Sequence, residues 1–513
     1  MNSDLGTGTA APPGLDEFLQ NRAVPQWGMP RRQGGIRQSK HLTACLVLLF
    51  VVSLPFVNPW VRGDGVGYYA YARALLIEHR LDFAPDWLHA NASFAAARVD
   101  DQGHIVASEY TVTGTIDDHF SVGPAILWSP FLLLAHGFVK AADRLGFAIP
   151  ADGFSRPYRI AMAASTAFYG FLGLLLSFDL SRRYFAEKWA FLATLAIWFA
   201  SSLPVYMYFN PSWSHAHSAF AVSLFLWYWS RTRPRRSWPQ WVLLGALSGL
   251  MINVYYLNAI FLLLIAWEAV SGYRRPGASV NKEPLRKQME AYALFALVTM
   301  LALTPTLVSK WLIYGKALES GYPSFDSWSW TSPKIFAVLF SADHGLLSWT
   351  PVLLPALIGL MLLARTHPVF GGGLLSAFVV YLYLVASFTN WDGLSSFGNR
   401  FFISFTPAFV IGLAALLQKL AGLLGNPSKT MSVAALSVAA LILWNGGLMV
   451  QWGTQMIPAR GPISWSMMMK NQIVGVPKRV VGDLGVYFAN RSLMMEQIEQ
   501  RDRSVRQQGE PAN

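Results

Sequence analysis

An aspartate set between glycines, just past the first apolar run, is where this chain first spaces its side chains for chemistry. The segment Gly63-Asp64-Gly65-Val66-Gly67-Tyr68-Tyr69-Ala70-Tyr71 follows the run from Leu42 to Val57 within a few residues. A carboxylate there stands where lipid-borne and water-borne reactants meet, in position to act as a general base. The same aspartate also reads as the N-cap of an amphipathic helix that carries Tyr68, Tyr71 and Leu75 on one face. Both uses are compatible, because a cap fixes the carboxylate it employs. Further polar chemistry gathers at Asp117-Asp118-His119 and at Trp391-Asp392-Gly393-Leu394-Ser395-Ser396-Phe397-Gly398-Asn399-Arg400. Arg400 carries the planar fork that fits a phosphate, and its bland alternative is an arginine snorkelling at a helix end.

The elements that position these groups follow from composition. Of 513 residues, 53% are hydrophobic and only 13% charged, too few charges for an ordinary soluble surface, so the chain is a polytopic membrane protein. Trp and Tyr flank the apolar runs, as at Tyr206, Tyr208, Trp227, Trp229 and Trp311, and suit interfacial belts. Cys45 is the single cysteine and lies inside the first run, which excludes an internal disulfide, a thiol metal site and a Cys nucleophile. The net charge of +12 does not point to nucleic acid, because its Lys and Arg are scattered over loops between apolar runs.

At roughly twenty residues per span, the sequence predicts an all-α fold with about eleven transmembrane helices. These cover 42–58, 158–180, 189–208, 213–230, 238–255, 257–272, 290–310, 346–364, 369–388, 400–418 and 431–452. Val122 to Val139 is equally apolar but is assigned to an interfacial or re-entrant helix, since a crossing there would place Arg182 and Arg183 outside. With that assignment Arg182/Arg183/Lys188, Arg231/Arg233/Arg235/Arg236, Arg274/Arg275/Lys282/Arg286/Lys287 and Lys419/Lys429 all face the cytoplasm. Residues 1–41 then form a cytoplasmic tail without apolar periodicity, expected to be disordered. Residues 42–452 form the multi-span domain, with a first extracytoplasmic loop at 59–157, and 453–513 form an extracytoplasmic C-terminal segment.

Three of these stretches resemble the GT-C superfamily of membrane glycosyltransferases, which includes protein O-mannosyltransferases and the bacterial aminoarabinose transferase of lipid A. Asp64 to Leu76 is similar to the acidic start of that superfamily's first loop. Asp117-Asp118-His119-Phe120-Ser121-Val122-Gly123-Pro124 resembles the run into a second juxtamembrane helix, and Trp391 to Phe401 resembles a Gly-rich segment before a late span. The order of elements fits over about 400 residues. The chain departs in two places: Gly65 stands where a Glu commonly follows the Asp, and His119 precedes Pro124 where the aminoarabinose transferase has a Lys. The resemblance implies a GT-C-like fold with juxtamembrane helices in the first loop, and transfer of a sugar from a polyprenyl-phosphate donor to a glycan, lipid or protein acceptor.

Compartment chemistry points the same way. Nucleotide sugars are cytoplasmic, so a transferase working outside needs a donor carried across on a lipid. Such a donor needs an apolar groove, expected around 290–310 and 346–364, a cation for its phosphate and a base for the acceptor. The expected mechanism is a single inverting displacement with Asp64 as catalytic base. Arg400 is the first choice for the donor phosphate, with His119, His344 and Lys310 behind it, although Asp343 and His344 also read as a helix cap. Tyr68, Asp117, Asp118 and Trp391 are candidates for sugar or acceptor contact, and the aromatics from Tyr322 to Trp330 offer stacking faces. Asp100-Asp101 and Asp117-Asp118 are possible divalent-cation ligands, while His215 and His217, two apart on a helix, point to nearly opposite faces and make a poor metal pair. No Walker loop or dinucleotide fingerprint is present, which argues against an ATP-driven pump. A flippase for lipid-linked sugars is the main competing function, but mid-span charges are scarce.

Overall fold

In the computed structural model, which describes residues 40–233, 235–273, 284–458 and 462–507, the apolar runs fold as helices. The expected disordered tail lies outside the described residues up to position 39. Among the described residues the only β pairing is two isolated bridges, Val99 with Ile105 and Tyr110 with Ile116. The fold is the all-α membrane architecture expected.

The first run gives α1 (Lys40–Ser53), and the glycine-flanked aspartate leads into α2 (Gly65–Leu76). The first loop then runs through short turns to α3 (Gly123–Arg144) and α4 (Arg156–Ser181). After α5 (Glu187–Phe199), a π-helical turn at Val205–Phe209 leads to α6 (His215–Thr232) and α7 (Trp238–Val254). Several expected spans are interrupted. The run 257–272 opens as a 3-10 turn before α8 (Leu263–Tyr273), and 290–310 breaks into α9 (Leu285–Ala302) and α10 (Thr304–Tyr314), bent by 44°. Pro305 at the start of α10 lacks the N–H that would continue α9. The late helices are α11 (Leu353–Thr366), α12 (Gly373–Ser387), α13 (Thr406–Leu424) and α14 (Pro427–Gly453), followed by α15 (Val476–Ala489) and α16 (Arg491–Gln507).

Five described helices are long and apolar enough to cross a membrane, or six with the bent α9–α10 pair. That is fewer than the about eleven runs counted at span length, because several runs fold as shorter or interrupted helices, as at Tyr256–Leu262, Thr304–Tyr314 and Pro368–Gly372. Helix α3, left uncounted in the sequence, is one of the five.

Register fixes which ends share a side. Thr166 donates to the Pro211 carbonyl (2.7 Å), Ser177 pairs with Ser223 (3.0 Å) and Tyr184 with Ser230 (2.9 Å), so α4 and α6 run parallel. Their ends meet where Asp179 pairs with Arg182 and Arg231. Helices α3 and α4 form an antiparallel hairpin: the Trp128 indole donates to Thr166 (2.8 Å), and His136 meets the Tyr158 hydroxyl (2.6 Å). The hairpin's turn rests on the first loop, with the Tyr69 hydroxyl donating to the Gly153 carbonyl (2.7 Å) and Phe154 stacked on His89 (4.2 Å). At its other end α3 meets the end of α7, where a Cβ on Gly123 would lie 2.3 Å from the Asn253 backbone. Both ends of α3 therefore touch elements on the side of the bundle that carries Asp64.

Helix α2 is expected to be amphipathic, and it is instead enclosed on every side from Gly65 to Ala74. Gly67 allows Phe120 to close on one flank, where a Cβ would fall 2.0 Å from its ring, while Phe83, itself against Trp87, covers Tyr71 on another. Arg73, fully buried, holds this loop together: its Nε lies 2.8 Å from both Asp86 carboxylate oxygens, and it also pairs with Glu78.

Candidate active site

Asp64 does not cap α2. Its backbone is already helical (φ −50°, ψ −24°) and its side chain makes no capping bond, so the carboxylate is directed elsewhere. Gly63 makes the reversal instead, at φ +54°, a left-handed conformation that suits glycine. Gly65 allows close approach, because a Cβ there would fall 1.9 Å from the Ser212 hydroxyl.

The partner of Asp64 is Arg400, at the start of a 3-10 turn that leads into α13. Arg400 Nη2 lies 2.7 Å from Asp64 Oδ2. Arg400 is 7% exposed, and its guanidinium stacks over the Trp213 ring, 4.1 Å from its centroid. Trp213 is fixed in turn by its indole N–H, which donates to the Arg62 carbonyl (2.8 Å). Arg400 Nε and Nη1 are buried and have no hydrogen-bond partner among the described residues. Two unsatisfied donors on a buried cation are an unfavourable resting arrangement that an anion's oxygens would relieve. Burial, the largest single effect, works to raise the Asp64 pKa, but the charge and hydrogen bond of Arg400, with smaller help from His119 and His215, together hold the carboxyl below its usual range.

Aromatic side chains build the walls. Tyr68, buried against Phe120 (4.8 Å), stands one helical turn from Asp64, and burial together with the Asp64 charge pushes its hydroxyl pKa up. Tyr206 accepts from the Phe397 N–H (3.0 Å), which ties the π-helical turn to the loop before Arg400. His215 lies among Tyr206 (4.9 Å), Trp213 (6.1 Å) and Tyr255 (5.6 Å), while His217 turns to Trp128 (5.2 Å) and Tyr169 (5.8 Å). The two histidines do face apart.

The remaining candidates divide. His119 packs against Phe120 (4.2 Å) and meets Tyr322 (4.8 Å), which brings the first loop and the segment after α10 into the same wall. Burial pushes its pKa down to about 4 against the pull of Asp117 and Asp64, so near neutrality it is an uncharged imidazole and not the cation expected. Lys310 is 2% exposed, with its ammonium on the Asp118 carbonyl (2.9 Å) and the Phe120 carbonyl (3.3 Å). It positions the loop that carries His119. Asp117 accepts from the Tyr314 hydroxyl. Asp118 is fully buried, with Oδ1 accepting from the Phe120 N–H (3.0 Å), and burial pushes its carboxyl well above the usual range against the opposing charge of Lys310. These acids are structural parts of the loop more than open sugar contacts.

His344 is fully buried at φ +57°, its ring against Trp349 (5.1 Å) and its Nε2 3.5 Å from Asp343. Trp349 packs on Phe397 (5.2 Å), so His344 lies behind the Arg400 loop. Trp391 sits on that loop's rim, with the Lys334 ammonium 5.9 Å from its ring and its carbonyl accepting from Asn399 (3.0 Å). Among the described residues no group of three or more His, Cys, Asp or Glu is arranged to hold a metal. Trp213, Tyr206 and Tyr255 were not among the sequence candidates, because each reads as an ordinary aromatic near a span end. His215, weighed in the sequence only as half of a metal pair, stands in the site beside Tyr206 without its pair-mate.

No protein-family profile matches the chain, and no curated protein does. Solved structures do: ArnT from Cupriavidus metallidurans bound to undecaprenyl phosphate superposes with a TM-score of 0.50 at 15% identity, covering 90% of this chain and 73% of that one. The apo state of the same ArnT gives a TM-score of 0.45 at 14% identity, covering 88% and 77%. At this identity the likeness is one of fold, and the fold of this chain is the GT-C-like membrane fold that ArnT has.

Proposed function

We propose that the protein is an integral membrane glycosyltransferase that moves a sugar from a polyprenyl-phosphate donor to an acceptor on the extracytoplasmic side of a bacterial cytoplasmic membrane. The observation that carries this is the Asp64–Arg400 pair, a carboxylate held by a buried guanidinium with two donors still unused. ArnT, the fold neighbour, binds undecaprenyl phosphate, which supports a lipid-linked donor here as well.

The chemistry is a single inverting displacement. A donor phosphate that takes up Arg400 Nε and Nη1 draws the guanidinium from Asp64, and the released carboxylate becomes a stronger base inside a partly buried site. Asp64 accepts the proton of the acceptor hydroxyl while that oxygen bonds to the anomeric carbon. The bond from the anomeric carbon to the phosphate oxygen breaks on the opposite face, and the electron pair leaves on phosphate, whose charge Arg400 stabilises. A phosphate leaving group needs no acid, so one carboxylate suffices and Gly65 in place of a second acid is tolerated.

Membranes supplied with a radiolabelled polyprenyl-phosphate sugar test this. The parent protein should move label to an acceptor fraction, and Asp64→Asn should lower transfer at least about a hundredfold, the scale of general-base loss. Transfer by the Asn variant at close to the parent rate would remove Asp64 as the base.

A further inference from the structure

Beneath the two C-terminal helices lies a cavity of about 320 Å³. That falls within the roughly 300–1,000 Å³ of small-molecule sites. Gly63 and Trp213 form one wall, Phe209 and Trp452 flank it, and Leu484 of α15 and Met495 of α16 close it. The charges around it are already paired: Arg62 with Asp502, itself 1% exposed, and Arg479 with Asp483 at 2.6 Å. An apolar chamber with its charges neutralised does not suit a free phosphate. It suits hydrocarbon.

Its place in the site says which substrate enters. Gly63 lines the cavity and directly precedes Asp64, whereas Arg400 is absent from the lining and lies against the ring of Trp213, which does line it. A molecule in the cavity thus meets the chain beside the base, with the phosphate cation behind an indole. The roof is tied to the end of α1: Arg491 donates to the Pro55 carbonyl (2.6 Å) and the Tyr487 hydroxyl to the Phe56 carbonyl (2.7 Å). The roof's outer side shows Val481 (87% exposed) and Phe488 (48%), continued by Ile473 (76%) in the turn before α15, an apolar face fitted to lie in a bilayer surface.

We propose that this cavity takes the apolar body of the acceptor, so that the acceptor is an amphiphile delivered from the bilayer and not a soluble glycan or a polypeptide. This rests on Asp64 being the base. The roof helices line the hydrocarbon's path, and their Met494 and Met495 provide an adaptable surface for a flexible chain.

Photo-crosslinking of the full chain in lipid nanodiscs tests this without requiring transfer. A glycolipid with a diazirine on its acyl chain should label peptides containing Trp452 and Met494–Met495. Gly446→Leu fills the cavity, and a Cβ at Gly446 meets no atom within 4 Å, so the helix accommodates it. Labelling should fall at least roughly tenfold in that variant. Gly453→Leu, equally open at its Cβ, is the second variant should the first fail to insert. Labelling of the same peptides by diazirine-farnesyl phosphate in preference to the glycolipid would overturn the assignment to the acceptor, and labelling by neither probe would overturn the site. If labelling persists while Asp64→Asn transfers normally, only the catalytic assignment falls.

Discussion

Arg400 Nη2 and Asp64 Oδ2 lie 2.7 Å apart, joining the start of the first loop to the loop before α13. The pair holds the Asp64 pKa down before any substrate arrives, which bears on the proposed role of Asp64 as base. With Arg400 present its charge and hydrogen bond together offset burial and the Asp64 pKa is low; without them burial dominates and the pKa rises. Because the base must be ionised, the acidic limb of the kcat/KM profile should move to higher pH in Arg400→Gln, by about one unit or more given the usual effect of a close opposite charge. Arg400→Lys should move it less. An unchanged limb in the Gln variant would show that the pair does not control the base.

Donor affinity tests the other half of the pair. Lys retains the charge but loses the planar fork, so Arg400→Lys should keep partial affinity. Arg400→Ala loses charge-assisted bonds of about 1.5–3 kcal/mol each and should bind a polyprenyl phosphate at least roughly tenfold more weakly in detergent. Parent-like binding by a folded Ala variant would move the phosphate site away from Arg400.

His119 should behave as a neutral group. Its pKa is pushed down to about 4 from 6.5 by burial, so the folded state binds a proton less readily than the unfolded chain. The stabilisation this gives is complete above about pH 6.5 and is lost as pH falls towards 4. His119→Gln should therefore flatten the fall in thermal midpoint across that window and leave donor binding near pH 7 largely intact. A large loss of donor affinity at pH 7 would restore His119 as a phosphate ligand.

The first loop depends on one buried cation. Arg73 is fully buried and Asp86 is 2% exposed. Removing one partner of a buried pair costs about 3–5 kcal/mol, and the remaining contact of Arg73 with Glu78 offsets only part of that because Glu78 is the more exposed acid. Asp86→Ala should lower the thermal midpoint and expose the 78–110 region to protease, while Asp100→Ala, at an exposed turn, should do neither. Equal stability in the two variants would remove Arg73 as the loop's anchor.

The sequence made Asp64 and Arg400 visible because each sets a charge in a glycine-containing segment next to an apolar run, Asp64 between Gly63 and Gly65 and Arg400 two residues after Gly398. Their pairing was not visible, since nothing local links a first loop to the entry of a late helix. The cap expected of Asp64 failed because Gly63 already turns the chain, leaving Asp64 inside the helical conformation with its carboxylate free to reach Arg400. Helix α2 looked amphipathic from Tyr68, Tyr71 and Leu75, yet Ala70, Ala72 and Ala74 are also covered, because small residues let neighbouring segments close on the second face. Lys310 appeared as a free cation at a span end, and only the folded loop shows the two carbonyls that hold it.

Helix α3 is the decisive case for topology. Its length and apolarity suffice for a crossing. Its contacts argue otherwise: its start lies against the end of α7, and the turn that follows it rests on Tyr69 and His89 of the first loop. The C-terminal helices touch the same side, through Arg491 and Tyr487 on the carbonyls that end the first span. A non-crossing α3 keeps Arg182 and Arg231 in the cytoplasm, as the positive-inside rule prefers. A reporter active only outside the cytoplasm should thus be active when fused after Gly146 and after Gln472, and inactive after Asn426. Activity after Asn426 with none after Gly146 would mean that α3 spans the membrane and that every loop from 143 onward lies on the opposite side.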